Sequence, residues 1–333
     1  MSEFSPRSEE LFDETIKAYF RITKNDLIVP SETFQANELA SSLEDNLYIA
    51  SELNQVTGAY KIRGAYNKII SLTEKQKRVG IITASAGNHS QAVALLANEL
   101  DIPATIIMPE TTPQYKIDRV KEFASSSTQI VLEGSNYDEA EDYANLVALQ
   151  DYLTMIHPFD DIKVMAGQGT WALEVLKDIK NLDSVYIPAG GGGLITGFAN
   201  IIKRSNPDIR IIAVEPSGAA SLSLAIEQNK PAALEEIDTF VDGASVKRIG
   251  QLVFEILSEN NLIDDVITVT NAHVKMALNV LRWGGNPVKS ELAGALSYAG
   301  YLKDRNRKIG QNVLCLVTGG NLSPERLKNI FID

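Results

Sequence analysis

The chain holds one cysteine among 333 residues, so no disulfide can form within it. That scarcity fits a reducing compartment. Cys315 lies in "NVLCLVTGG", a strand-like run in which a thiol reads as buried packing rather than a nucleophile. No apolar run approaches the roughly 20 residues of a membrane span. The opening "MSEFSPRSEELFDETIKAYF" is polar and acidic, without the basic head and apolar stretch of a secretory signal. No block of Lys and Arg occurs, and 31 basic against 43 acidic side chains leave a net charge of −12. Nucleic-acid phosphates would be repelled by such a surface. The expectation is a cytoplasmic protein with neither nucleic acid nor membrane as partner.

What the chain does have is an ordinary globular balance, 44% hydrophobic and 22% charged, long enough for two cores. Short β-branched runs alternate with helix-period segments. Strands are expected over 80–85, 104–108, 129–132, 184–188, 209–214, 266–270 and 312–317, with helices such as 90–100 and 168–179 between them. This alternation predicts the α/β class, with parallel-rich sheets covered by helices. No fixed-period repeat and no low-complexity linker interrupts it.

In open α/β sheets ligands sit beyond the carboxyl ends of strands. Three Gly-rich stretches fall there: "SAGNHSQ", "PAGGGGLITG" and "VTGGN". In the second, Gly190, Gly191, Gly192 and Gly193 let backbone approach a ligand, and their N–H groups with the next helix end form an anion site suited to phosphate. A dinucleotide fingerprint fails, because Leu194 stands where G-x-G-x-x-G needs glycine, and no Lys-Ser/Thr follows as in a P-loop. That counts against a nicotinamide-dependent oxidoreductase. In the first stretch Ser85, Ala86, Gly87, Asn88 and His89 gather donors for a second anion such as a carboxylate. Asn88 can bond a ring hydroxyl or cap the helix, and the stretch alone leaves both open.

"QVTGAYKIRGAYNKII" places Lys61 in the first turn of a helix whose apolar face is Ile62, Ala65, Tyr66, Ile69 and Ile70, with Thr57 as expected N-cap. A cation there is unfavourable by roughly 0.3–1 kcal/mol. Either the lysine is an ordinary surface residue or its amine is meant to be neutral, able to form a Schiff base with a carbonyl cofactor. The combination decides between them. A lysine for an imine, a Gly cradle for a phosphate, Asn88 for a ring hydroxyl and Thr318 for a pyridine nitrogen match the parts of pyridoxal phosphate.

These motifs resemble the fold-type II pyridoxal-phosphate enzymes, in the threonine/serine dehydratase and serine racemase branch, over nearly the whole chain. "TGAYKIRGA" is similar to the Schiff-base segment, with Ala59-Tyr60 where the family usually has Ser-Phe. "HPFDD", "GQGT", "VDG", "ELAGA" and "TGGN" follow in the family's order. The resemblance implies a two-lobed, tryptophan synthase β-like fold: a small lobe at 83–160 inserted in a large lobe of 1–82 plus 161–333. It implies that Lys61 carries the cofactor and acts as base. Asn88 would meet the ring hydroxyl, Gly190 to Gly193 with Leu194 the phosphate, and Thr318 the pyridine nitrogen. The loop of Ser85, Ala86, Gly87, Asn88 and His89 would take the substrate carboxylate. A homodimer or homotetramer is implied, and the C-terminal regulatory domain of biosynthetic threonine deaminases is expected to be absent.

Within the family, Ile62-Arg63 after the lysine and His89 closing the loop point away from the synthases, so the implied reaction is dehydration and deamination of L-threonine or L-serine. A serine racemase or 3-hydroxyaspartate dehydratase is the alternative. Racemases of this branch carry serine at the position of Ala86, and a methyl group transfers no proton. A non-catalytic pyridoxal-phosphate-binding protein would not need Lys61. Glu215 in "VEPSGAASL" matches the family's first cation ligand. The racemase-type second carboxylate falls near Ser221, so a monovalent or divalent ion at Glu215 stands only as an expectation.

Overall fold

The computed structural model describes residues 4–40, 44–284, 286–304 and 311–332. Its strands are β1 (Glu32–Gln35), β2 (Asn46–Ser51), β3 (Ile81–Ala84), β4 (Ala104–Met108), β5 (Thr128–Leu132), β6 (Thr154–Met155), β7 (Ser184–Pro188), β8 (Arg210–Pro216), β9 (Asp265–Val269) and β10 (Asn312–Val317). Six form one sheet in the order β1-β2-β10-β7-β8-β9, parallel except for the β1–β2 pair. The other four form a parallel sheet in the order β5-β4-β3-β6. The protein is of the α/β class, with both sheets covered by helices.

Alternation along the strands builds a core on each face of the larger sheet. Val185, Ile187, Ile211, Ala213, Leu314 and Leu316 face one core. Their neighbours Tyr186, Ile212, Val214, Val313, Cys315 and Val317 face the other. Strands buried on both faces read as continuous apolar runs, which is why β7, β8 and β10 are legible in the sequence. β1, β2 and β6 are not anticipated there: β1 is a partly exposed edge strand, β6 has two residues, and "NLYIAS" in β2 begins with polar Asn46.

The helix Lys61–Ile70 lies between the sheets. Ile62, Ala65, Tyr66 and Ile69 pack with Ile81, Ala92, Val93 and Leu96 of the smaller sheet and its helix. Its opposite side meets the helix Ile162–Asp178, and two glycines allow the contact. A Cβ on Gly64 would stand 2.7 Å from the Val164 carbonyl oxygen, and one on Gly167 2.6 Å from the Gly64 Cα. The same central helix meets Gly193–Ser205 through Gly169, where a Cβ would lie 2.8 Å from the Gly197 carbonyl oxygen. Backbone-to-backbone contact thus fixes the spacing of three helices, two of which begin at the Gly-rich loop and at Lys61.

Thr57 is not the N-cap. The helix starts at Lys61, with Tyr60 in the cap position and no side-chain cap. Residues after Thr57 are drawn instead into an isolated bridge, Ala59 to Gly319, flanked by Tyr60 N–H to the Thr318 carbonyl (3.0 Å) and Gly320 N–H to the Gly58 carbonyl (3.0 Å). Gly58, at φ +69°, makes the turn.

Arg63 is fully buried, in the first turn of this helix. Its guanidinium donates two bonds to Glu52, each 2.8 Å, and two to Glu174, at 2.7 and 2.8 Å. Removing one partner of a buried charge network costs about 3–5 kcal/mol because the others are left uncompensated. Arg63→Ala should therefore lower unfolding stability by that amount in a urea titration; a loss below roughly 1 kcal/mol, the size of an exposed ion pair, would show the network to be dispensable.

Candidate functional site

The carboxyl ends of β3, β7 and β10 open onto one cavity of about 1040 Å³. Lys61, the 85–89 loop, Gly190 to Gly193, Leu194 and Thr318 all line it, so the residues singled out in the sequence are brought together, Glu215 excepted.

Lys61 is half-buried, and its Nζ donates to the Pro158 carbonyl oxygen at 2.7 Å. Burial pulls its amine down to about 8. The carbonyl is presented by a turn that His157 organises. His157 Nδ1 accepts from the N–H groups of Phe159 (3.2 Å) and Asp160 (2.7 Å), which leaves Nε2 to face Glu141 at 3.0 Å. The two acids of "HPFDD" then hold neighbouring helices: Asp160 accepts from Gln251 and Val253 at the start of Gln251–Glu259, and Asp161 caps Ile162–Asp178. This explains why that helix begins before the expected residue 168.

After β7 the chain runs into Gly190, Gly191 and Gly192, and the helix Gly193–Ser205 begins. Gly192 sits at φ +90°, where a side chain would be strained. A Cβ on Gly191 would collide with the Phe159 ring, and one on Gly193 would come within 2.7 Å of the Phe159 carbonyl oxygen. The first N–H groups of this helix have no partner within it. Backbone donors without side chains in the way are what a dianionic phosphate requires.

Asn88 is the first residue of the helix Asn88–Glu99, and Gly87 holds the cap position without a side-chain bond. The capping reading of Asn88 therefore falls away. Its amide lines the cavity, donates to Glu291 Oε1 at 2.7 Å and accepts from Asn321 Nδ2 at 2.8 Å. Ala86 lines the same cavity and carries no titratable group. His89 is 2% exposed and its Nε2 lies 2.9 Å from the Ile156 carbonyl oxygen. Burial first, then the nearby Lys61 charge, pull it down to about 3, so it stays neutral and offers the cavity no cation. Thr318 follows β10, with its carbonyl taken by Tyr60 and its side chain at the cavity wall.

Three residues of the site carry no assignment in the sequence reading. Glu291, in "ELAGA", is half-buried beside Asn88, and desolvation with the Asp242 charge pushes it up to about 7. Asn321, in "TGGN", reaches Asn88. Asp242, in "VDG", pairs with Lys116 and Arg326 on the cavity lining. The motifs were visible, but nothing in their spacing says which side chain turns inward.

Glu215 stands apart. Its oxygens accept from the N–H groups of Leu222 (2.6 Å) and Ser223 (2.9 Å) and from the Ser223 hydroxyl (2.7 Å), at the start of the helix Ser221–Gln228. Burial raises this carboxyl above its ordinary value, and the bonds from the helix end offset that only in part. Among the described residues no group of three or more His, Cys, Asp or Glu side chains could share a metal ion. No described helix is long and apolar enough to cross a membrane.

A half-buried lysine of lowered basicity, a side-chain-free loop ahead of a helix, an amide held by two partners and an uncharged hydroxyl around one cavity fit the aldehyde, phosphate, ring hydroxyl and ring nitrogen of pyridoxal phosphate. Comparison with known proteins gives the family. Residues 24–319 match the model of the family described as pyridoxal-phosphate dependent enzyme. The chain is 40% identical over 289 residues to the catabolic L-threonine dehydratase of Staphylococcus aureus (strain N315), covering 86% of this chain and 82% of that one. It spans from 51% to 74% of the length of longer threonine dehydratases. Among solved structures, the processed threonine deaminase isoform 2 of Solanum lycopersicum superposes with a TM-score of 0.88 at 36% identity, covering 97% of this chain and 93% of that one. Maize serine racemase gives 0.87 at 30% identity, covering 95% of each. The chain belongs to the pyridoxal-phosphate-dependent enzyme family, and within it is an enzyme of the threonine ammonia-lyase type.

Proposed function

We propose that the chain dehydrates and deaminates 2-amino-3-hydroxy acids, turning L-threonine into 2-oxobutanoate and ammonia, and L-serine into pyruvate and ammonia. The observation that carries this is the amine of Lys61, held at the Pro158 carbonyl in a cavity where Ala86 contributes only a methyl group. Its relatives named as L-threonine dehydratases support the choice of threonine.

In this reading Lys61 carries the cofactor through Nζ. Backbone N–H groups of Gly190, Gly191, Gly192, Gly193 and Leu194 take its phosphate, Asn88 its ring hydroxyl and Thr318 its ring nitrogen. Pyridoxal phosphate, when bound, supplies an electron sink for charge left at the substrate α-carbon. Residues 85–89 and the N-terminus of Asn88–Glu99 bind the substrate carboxylate through backbone donors. Released to the substrate side, the Lys61 amine removes the α-proton, and the proton held at Nζ is available to the departing β-hydroxyl. The Thr318 hydroxyl brings no negative charge to the ring nitrogen, which favours rapid elimination over transamination. The fold around residues 83–160 is read as the small lobe, and a homodimer or homotetramer in the cytoplasm as the working form.

Release of ammonia and 2-oxo acid should be fastest from L-threonine in a panel with L-serine and 3-hydroxyaspartate, and Lys61→Ala should lose both activity and the visible absorption of the holoprotein. Activity confined to 3-hydroxyaspartate, or a visible band that survives Lys61→Ala, would defeat the assignment.

Because burial lowers Lys61 to about 8, its amine is neutral above that pH and protonated below it. Capture of pyridoxal phosphate by the apoprotein, followed as growth of visible absorption, should accelerate with rising pH and reach half its limit near 8. A midpoint near the ordinary lysine value of about 10.4 would show the amine to be unperturbed.

Serine racemisation should be negligible in the native protein and rise in Ala86→Ser, measured by chiral separation of the serine pool. No rise in the variant would show that the position of Ala86 does not limit proton return.

A further inference from the structure

The amide of Asn88 belongs to a hydrogen-bond chain that ends at a backbone carbonyl, which can only accept. At one end is the Thr57 carbonyl oxygen, which takes Asn321 Nδ2 at 2.7 Å. Asn321 Nδ2 also donates to Asn88 Oδ1 at 2.8 Å. Asn88 Nδ2 donates in turn to Glu291 Oε1 at 2.7 Å. A backbone carbonyl never donates, so Asn321 must point its NH2 at Thr57. Asn88 must then meet that NH2 with its oxygen and turn its own NH2 toward Glu291. The orientation of both amides follows from the network rather than from their shapes.

Asn321 is itself held in place. Its side chain packs on Gly58, where a Cβ would come within 2.6 Å of Oδ1. The bridge between Ala59 and Gly319 fixes the backbone on both sides. Glu291 is anchored on the same segment, with its N–H bonded to the Gly319 carbonyl at 2.9 Å. The segment after β10 therefore touches the turn that precedes Lys61 and, through Asn321 and Glu291, both polar atoms of Asn88. One N–H of Asn88 is left over, on a half-buried residue at the cavity wall.

We infer that Asn321 is a positioning residue that locks the Asn88 amide so that its free N–H, and not its oxygen, faces the cofactor's ring hydroxyl. This rests on the reading of Asn88 as the partner of that hydroxyl. A donor there stabilises the ionised oxygen, while an unlocked amide could present its carbonyl and favour the protonated form. Asn321 acts on the cofactor only through Asn88, with no contact of its own required.

Absorption spectra and pyridoxal-phosphate dissociation constants of four holoproteins test this: native, Asn88→Ala, Asn321→Ala and the double variant. Asn88→Ala and Asn321→Ala should each change the ratio of the ionised-hydroxyl to neutral-hydroxyl visible bands, by roughly tenfold or more for loss of a bond to a charged group. In the Asn88→Ala background, Asn321→Ala should change nothing further, because its effect passes through the missing amide. Equal effects of Asn321→Ala in both backgrounds, or no spectral effect in the native background, would overturn the inference while leaving Asn88 as the hydroxyl partner. A spectrum unmoved by Asn88→Ala would instead remove the reading beneath it. Should Asn321→Ala fail to fold, Asn321→Asp keeps the side-chain volume but replaces the donor with an acceptor, and its spectrum must shift in the same direction for the inference to stand.

Discussion

The site depends on a buried cation that touches no ligand. Arg63 sits two residues beyond Lys61 with no solvent exposure, and its guanidinium forks onto Glu52 beyond β2 and onto Glu174 of the central helix. It also reaches the Thr170 hydroxyl and the Val29 carbonyl, each at 3.3 Å. Such planar, two-sided recognition is available to arginine and not to lysine. One side chain thereby ties the first turn of the Lys61 helix to the end of a strand in the large sheet and to the helix that packs on the Gly-rich loop. Since the two glycine contacts set the depth of helix packing and Arg63 sets the register, the distance from amine to phosphate cradle is fixed by groups that never enter the cavity.

The amine's low affinity for a proton has a different origin from the one the sequence suggests. A first-turn position disfavours a cation through the helix dipole, by roughly 0.3–1 kcal/mol. In the folded chain burial is the cause of the lowering. The dipole argument draws notice to Lys61 through its unfavourable position, but desolvation supplies the effect. His89 behaves alike: its neutrality follows from burial first, with the Lys61 charge second.

How much of this was legible follows the physics of each element. Strands buried on both faces write continuous apolar runs, so β4, β7 and β10 could be bounded to the residue. Thr57 failed as an N-cap because the ends of Gly58 and Tyr60 are claimed by residues 318 and 320, more than 250 positions away, and local propensity holds no record of that pairing. Asn88 was ambiguous for the same reason: its partners come from 291 and 321. The placement of the glycines as a loop before a helix was legible, since four glycines in a row after an apolar strand can hardly continue it. Glu291 read poorly, since a lone acidic residue in a sequence is more often solvated than buried.

These features give the cavity a consistent electrostatic character. Burial moves Lys61, His89 and Glu291 each toward its uncharged form, and Thr318 and Ala86 carry no charge to begin with. Positive potential comes instead from two helix N-termini and their backbone N–H groups, at Gly193 and Asn88. Such donors cannot be titrated away and need no reorganisation when an anion arrives. Full charges elsewhere on the lining include Asp242, which is paired with Lys116 and Arg326. A site so arranged leaves the formal charge to whatever anions it binds and, in the proposed reaction, keeps the Lys61 amine neutral enough to exchange a proton with carbon.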